Sequence, residues 1–174
     1  MGHRSPSGQR GPASPRVRKI EVQLRAGMLA IGEMAPDFSI PLPDGSTRTL
    51  SSYRGRPVIV YFFPKANTAG CTLETRGFSE RYDGFQRAGV ELIGVSVDTA
   101  DTQSAFAAKC GSKFPMVGDP SKEIARKYGV LGLLGVAKRV TFLVDPAGKV
   151  GEVVEGMLPG PHLKAADTWA TRPR

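Results

Sequence analysis

The chain is expected to fold as one α/β domain, and three observations predict it. Val58 to Phe63, Val90 to Val97 and Val140 to Val144 are largely apolar runs, the composition of strands buried on both faces of a sheet. Segments with apolar residues at helical spacing lie between them, the alternation typical of α/β folds. A length of 174 residues with 40% hydrophobic content can bury a core without disulfide staples.

Taken in order, Asp37 to Ile40 and Thr47 to Leu50 read as two short strands around an Asp44-Gly45 turn, an N-terminal hairpin closed by Ser51 to Gly55. The Val58 strand follows. From Cys71 onward Thr75, Phe78, Tyr82 and Phe85 recur at helical intervals, so one stripe carries the thiol and the core residues together. After the Val90 strand, Thr99 to Lys109 forms a second helix with Asp98 or Thr99 as N-cap, Cys110 in its last turn and Gly111 just beyond. Ser121 to Tyr128 is a third helix, preceded by Asp119-Pro120 and stopped by Gly129. The Val140 strand turns at Asp145-Pro146-Ala147-Gly148 into a partner from Lys149 to Val154. A short helix from about His162 to Trp169, started by Pro161, ends the chain. There is no internal repeat.

The net charge of +8 is concentrated at one end. Residues 1–27 hold Arg4, Arg10, Arg16, Arg18, Lys19 and Arg25 against Glu21, which is five of the eight charges. This Gly-, Ser- and Pro-containing stretch cannot form a core and is expected to be a disordered basic extension, leaving 28–174 as the globular domain. A flexible arm and an over-extended start site both account for it. Nucleic-acid binding is disfavoured, because no aromatic residues interleave with the basic ones as a stacking platform. No apolar run approaches the ~20 residues that cross a bilayer, and no secretory signal is visible, so a cytoplasmic location is expected and no membrane partner. Two cysteines outside any CxxC or Cys/His cluster imply neither a disulfide framework nor a metal, and no cofactor is expected.

Cys71 is the residue aimed at chemistry. It stands at a strand-to-helix junction, where the unpaired N–H groups and positive dipole end of the first turn favour thiolate over thiol. A buried cysteine on an apolar stripe is more often a small hydrophobe, and the residue type alone does not separate the two readings.

The surrounding residues separate them. Pro64, Thr68 and Cys71 form the Pro-x-x-x-Thr-x-x-Cys motif, and the string Tyr61-Phe62-Phe63-Pro64-Lys65 with Gly70-Cys71-Thr72 resembles the Q-type peroxiredoxins, also called bacterioferritin comigratory proteins. Further matching blocks follow in order: Gly94 to Asp98, Phe114-Pro115, Asp119-Pro120, Tyr128 to Val130, and Arg139 to Asp145. The resemblance spans about Gly32 to Val154. It implies a thioredoxin-like fold with a central mixed sheet flanked by helices. It also implies thiol-dependent reduction of hydrogen peroxide and organic hydroperoxides, electrons from thioredoxin or a similar thiol, and a monomer or weak homodimer. Two departures stand out: Ala69 replaces the proline that most members carry before Gly-Cys, and Arg76 occupies the position where many place a resolving cysteine.

The resemblance implies a role for each motif residue. Cys71 is the peroxidatic nucleophile, passing through a sulfenic acid. Arg139 stabilises the thiolate and grips the peroxide in a fixed fork. The Thr68 hydroxyl accepts from the peroxide and donates to sulfur or oxygen. Pro64, lacking an N–H, limits water and fixes the turn. Cys110, at the C-terminal end of its helix where the dipole disfavours thiolate, is either the resolving thiol or a cysteine without a role. If the two cysteines lie far apart, unwinding near Gly77 is the expected route between them. His3 and His162 are expected to be solvated. Gly132-Leu133-Leu134-Gly135 lacks the Lys-Ser/Thr of a phosphate loop and reads as an apolar surface loop near the active site, suited to partner docking. A thioredoxin-like thiol–disulfide oxidoreductase is the alternative enzyme, disfavoured by the missing CxxC.

Overall fold

The computed structural model describes residues 27–174, so the basic extension falls almost wholly outside the described residues. A two-stranded antiparallel hairpin, β1 (Ser39–Pro41) and β2 (Thr47–Thr49), is followed by a 3-10 turn over Leu50–Tyr53. The main sheet has five strands in the order β5-β4-β3-β6-β7. These are β3 (Val58–Phe62), β4 (Glu91–Ser96), β5 (Met116–Gly118), β6 (Val140–Val144) and β7 (Val150–Glu155). β3, β4 and β5 run parallel, and β6 and β7 pair antiparallel, giving the expected mixed sheet. The helices are α1 (Ala69–Arg87), α2 (Ala100–Lys109), α3 (Glu123–Tyr128) and α4 (Pro159–Ala170).

The central strands are largely apolar because both faces of the sheet are covered. Val58, Val60 and Phe62 of β3 join Ile93, Val95, Val140 and Phe142 in one core, against Leu29, Phe38, Ile40, Tyr53 and Tyr128 from the hairpin side and α3. Ile59, Tyr61 and Phe63 point the other way, into a second core with Cys71, Phe78 and Phe85 of α1, Phe106 of α2 and Trp169 of α4. The helical stripe expected from Cys71 is borne out: Cys71, Thr75, Phe78 and Phe85 are buried and Tyr82 is half-buried.

One strand lay outside the expectations, and two expectations need correction. β5 has no strand signal in the sequence, being three residues at the sheet edge with only Val117 buried. α4 starts at Pro159, three residues before the expected point, and this extra turn carries His162 into the interior, where it is wholly buried rather than solvated. Gly77 is not a loose point in α1. A Cβ there would lie 2.6 Å from Leu163 Cδ1, so the glycine lets α4 sit close against α1, and the Arg81–Asp167 ion pair secures the same contact.

Gly94 shows how closely the second core is fitted. It pairs with Tyr61 on one side and Met116 on the other, and a Cβ there would lie 2.8 Å from Tyr61 Cζ and 2.7 Å from Met116 Sδ. The Tyr61 ring cannot retreat readily, because it packs tilted on Phe78 with ring centroids 4.4 Å apart and its hydroxyl bonds Thr75 Oγ1 at 3.0 Å. Gly94→Ala is therefore expected to destabilise the fold by about 1–3 kcal/mol in urea unfolding, despite alanine's lower backbone entropy cost. Unchanged or raised stability would show that the ring gives way.

Candidate active site

Four segments that are distant in sequence build the surroundings of Cys71 and Glu74. The first is the connection from β3 to α1. Phe63 still bonds the sheet through its N–H to Val95 O, after which Pro64 ends the strand. The Ala66 N–H then donates to Asp98 Oδ2 at 2.8 Å, tying this loop to the turn after β4. Asn67 takes the left-handed conformation (φ 64°), which asparagine tolerates better than most residues, and reverses the chain into the helix. Thr68 is the N-cap residue with extended backbone, and Thr72 N–H closes the first turn on its carbonyl at 2.9 Å. The Thr68 hydroxyl donates to Lys65 O at 2.8 Å, leaving its lone pairs to accept. Cys71 is thus the third residue of α1, among N–H groups without intrahelical partners, and its side chain is 1% exposed.

The second segment is the entry to β6. Arg139 is buried, its Nη2 donating to Cys71 Sγ at 3.3 Å and its Nη1 to Glu74 Oε1 at 2.7 Å. Gly70 makes this approach possible, since a Cβ there would come within 3.0 Å of Arg139 Nη2. Burial works against the guanidinium charge, but Glu74 and the Cys71 sulfur outweigh it and raise the Arg139 pKa above its ordinary value. At Glu74 the balance is reversed. Burial dominates the attraction of Arg139 and pushes the carboxyl up to about 7.

Glu74 escaped the reading of the sequence, although its position three residues after Cys71 puts it on the same helical face, a carboxylate on an apolar stripe. The third segment is α4, which sets His162 behind Glu74. The fourth is α2, whose C-cap residue Cys110 is buried in the same core as Cys71. Both cysteines are free. Burial raises the Cys110 pKa above its ordinary value, with the guanidinium of Arg76 beside it acting in the opposite direction. The structure thus brings Arg139 onto Cys71, with Thr68 at the N-cap of the same helix, Pro64 in the loop before it and Cys110 on the same side of the sheet. Leu133 and Leu134 are fully exposed in the turn that leads to β6. A groove of about 590 Å³ between the hairpin and the β5–α3 connection includes none of these residues.

A thiol held under a helix N-terminus and a guanidinium, on a fold of this topology, defines a thiol-based oxidoreductase. The chain belongs to the AhpC/TSA family, which residues 31–153 match. It is 33% identical over 148 residues to peroxiredoxin Bcp of Escherichia coli K12, covering 81% of this chain and 95% of that protein. It is 34% identical to the chloroplastic peroxiredoxin Q of Triticum aestivum, covering 82% and 70% of the two chains. The crystal structure of peroxidoxin BcpB from Mycobacterium tuberculosis superposes with a TM-score of 0.74 at 30% identity, over 83% of this chain and 99% of that one. Within the family the chain is a peroxiredoxin of the Bcp and Q type, with the thioredoxin-like fold, and its activity is that of a thiol peroxidase.

The Glu74 carboxyl binds its proton more tightly in the folded chain, at about 7, than at its ordinary value of 4.5. The stability it contributes is full below about 4.5 and is lost as pH rises to about 7, because in that window the folded state holds the extra proton. Glu74→Gln has no proton to lose. The stability difference measured by urea unfolding should therefore move in favour of the variant across that window, by up to about 3 kcal/mol. A difference that stays flat overturns the assignment.

Proposed function

We propose that Cys71 is the peroxidatic nucleophile and that Arg139, Thr68 and Pro64 complete its site. The observation that carries the reading is the contact of Arg139 Nη2 with Cys71 Sγ at 3.3 Å, under a helix N-terminus and with 1% exposure. The thiolate attacks one peroxide oxygen, an S–O bond forms as the O–O bond breaks, and the displaced oxygen takes up a proton to leave as water or an alcohol. Charge builds on the departing oxygen, so donors already aimed at the site lower the barrier without reorganising. Arg139 has two nitrogens committed, one to sulfur and one to Glu74, which fixes the plane of its fork. The Thr68 hydroxyl, donating to Lys65 O, presents lone pairs for the peroxide proton. Pro64 offers no N–H to hold water beside the sulfur. Hydrogen peroxide and organic hydroperoxides are the proposed substrates.

Cys110 is proposed as the resolving thiol. Its placement in the same core as Cys71 supports this reading, and Arg76 beside it offsets part of the burial that disfavours its thiolate. Its sulfur would attack the Cys71 sulfenic acid, forming the disulfide and releasing water. Both sulfurs are buried, so the first turn of α1 would have to open. From Gly77 onward the helix is held by Leu163 and by the Arg81–Asp167 pair, which confines the opening to residues before Gly77. Thioredoxin or a similar dithiol would then reduce the disulfide. The proposed setting is the cytoplasm, with the chain a monomer or weak homodimer and 28–174 as its catalytic domain. Among the described residues no helix is long and apolar enough to cross a membrane.

Two measurements test this. Cys71→Ser should abolish peroxide turnover while circular dichroism shows the fold intact, and retained turnover would sink the mechanism. After one equivalent of hydrogen peroxide, the reduced protein should lose both thiols and two hydrogens in mass without dimerising. Gain of one oxygen with Cys110 still free would instead make an outside thiol the resolving partner.

A further inference from the structure

His162 has no part in the chemistry described so far, yet it is wholly buried and fixed at both ring nitrogens. Nε2 lies 2.8 Å from Gly156 O, and a carbonyl only accepts, so Nε2 carries a hydrogen. Nδ1 lies 2.8 Å from Thr141 Oγ1 and 3.9 Å from Glu74 Oε2. Glu74 gives its other oxygen, Oε1, to Arg139, while Oε2 is buried without a hydrogen-bond partner. A buried carboxylate oxygen left without a donor is costly, and His162 Nδ1 is the polar atom set beside it.

We propose that His162 is a positioning residue of the peroxidatic site: one proton lodged between its Nδ1 and Glu74 Oε2 holds Glu74 in the orientation that sets Arg139 on Cys71. The proton resides either on Glu74, as a carboxylic acid donating to Nδ1, or on Nδ1, as an imidazolium donating to the carboxylate. The Thr141 hydroxyl can donate or accept and follows it. At 3.9 Å the two atoms are in contact without a hydrogen bond, so engaging the proton requires the Glu74 carboxyl and the His162 ring to close by about 1 Å.

The charged and titratable groups around this pair are few. α1 contributes Cys71 and Glu74, the entry to β6 contributes Arg139, and α4 contributes His162. Tyr61 of β3 is neutral, its pKa raised well above 10.0 by burial, and is engaged with Thr75. The Arg81–Asp167 pair farther along α1 and α4 is partly exposed. Burial disfavours charge on both members of the pair, lifting Glu74 to about 7 and lowering His162 below its ordinary value, so of the two groups the glutamate is the readier to hold the proton. The chain runs from α4 to the sulfur through four side-chain groups, each bonded or adjacent to the next: His162, Glu74, Arg139 and Cys71.

The inference rests on Cys71 being the peroxidatic thiol, and its test separates the two. The rate constant for oxidation by hydrogen peroxide is measured against pH in the full chain and in two variants. His162→Leu removes both ring nitrogens, whereas His162→Asn keeps a nitrogen near the place of Nδ1. His162→Leu should lower the rate about tenfold and remove the inflection belonging to Glu74, and His162→Asn should restore most of both. Independently of those variants, the chain has only two histidines, His3 and His162, so ¹⁵N-histidine NMR of the wild-type protein reads the ring directly. Its nitrogen resonances should shift through an inflection near 7 that Glu74→Gln abolishes. A ring that does not respond across that range, or a Leu variant with the wild-type rate and pH profile, overturns the proposal. So does an Asn variant as slow as Leu with the wild-type profile kept. Should His162→Leu fail to fold, the Asn variant and the NMR titration decide. If Cys71→Ser keeps peroxide turnover, the reading of Cys71 fails, while the ring titration still reports on the Glu74–His162 pair.

Discussion

Placing a guanidinium out of water against a sulfur is the constraint around which the rest of this structure is arranged. Arg139 is 4% exposed, and a charge buried so deeply must be paired or it destabilises the fold. Glu74 provides the pairing, one turn along the helix that carries Cys71, so sulfur and carboxylate reach the same cation from one rigid element. The arrangement holds the donor fork beside the sulfur before substrate arrives. An exposed arginine would be screened by solvent and free to rotate, and would supply less of both attraction and orientation.

The sheet and helices serve that placement. β3 and β6 are antiparallel neighbours inside the sheet, so the loop leaving β3 and the residue entering β6 meet at the same end of it. The first brings Pro64, Thr68 and Cys71, and the second brings Arg139. Asp98, after β4, fixes the loop through the Ala66 N–H and also accepts from Ser96 Oγ. α4 closes the back of the site. Leu163 fills the space left by Gly77, Asp167 takes Arg81, and His162 reaches between Thr141 and the Glu74 carboxyl. Two cores, one on each face of the sheet, keep these elements in register.

The two cysteines are in opposite electrostatic settings within one core. Cys71 faces the start of α1 and a guanidinium, and Cys110 caps the end of α2, where carbonyl oxygens point outward. Burial further disfavours the Cys110 thiolate, and Arg76 offsets part of that. Such an asymmetry gives the two sulfurs different chemical character, as the proposed division between a peroxidatic and a resolving thiol requires.

Much of this was legible in the sequence. The apolar runs gave the central strands nearly to the residue because a strand covered on both faces leaves little choice of side chain, and the stripe from Cys71 gave α1 because a 3.6-residue period is a local property. The order of motif blocks pointed to Pro64, Thr68, Cys71 and Arg139 as the candidate site, and the structure sets Arg139 on Cys71. β5 was not visible, since a three-residue edge strand owes its form to pairing with β4 and carries almost no pattern of its own. Nor was the burial of His162, which depends on α4 beginning at Pro159 and packing on a glycine more than 80 residues earlier. Local spacing by itself determined which residues could line one face of an element. The tertiary structure decided which faces meet, and with that which of the buried polar groups share a charge, because pairing across 65 residues between Glu74 and Arg139 is a property of the packed chain and leaves no period in the sequence.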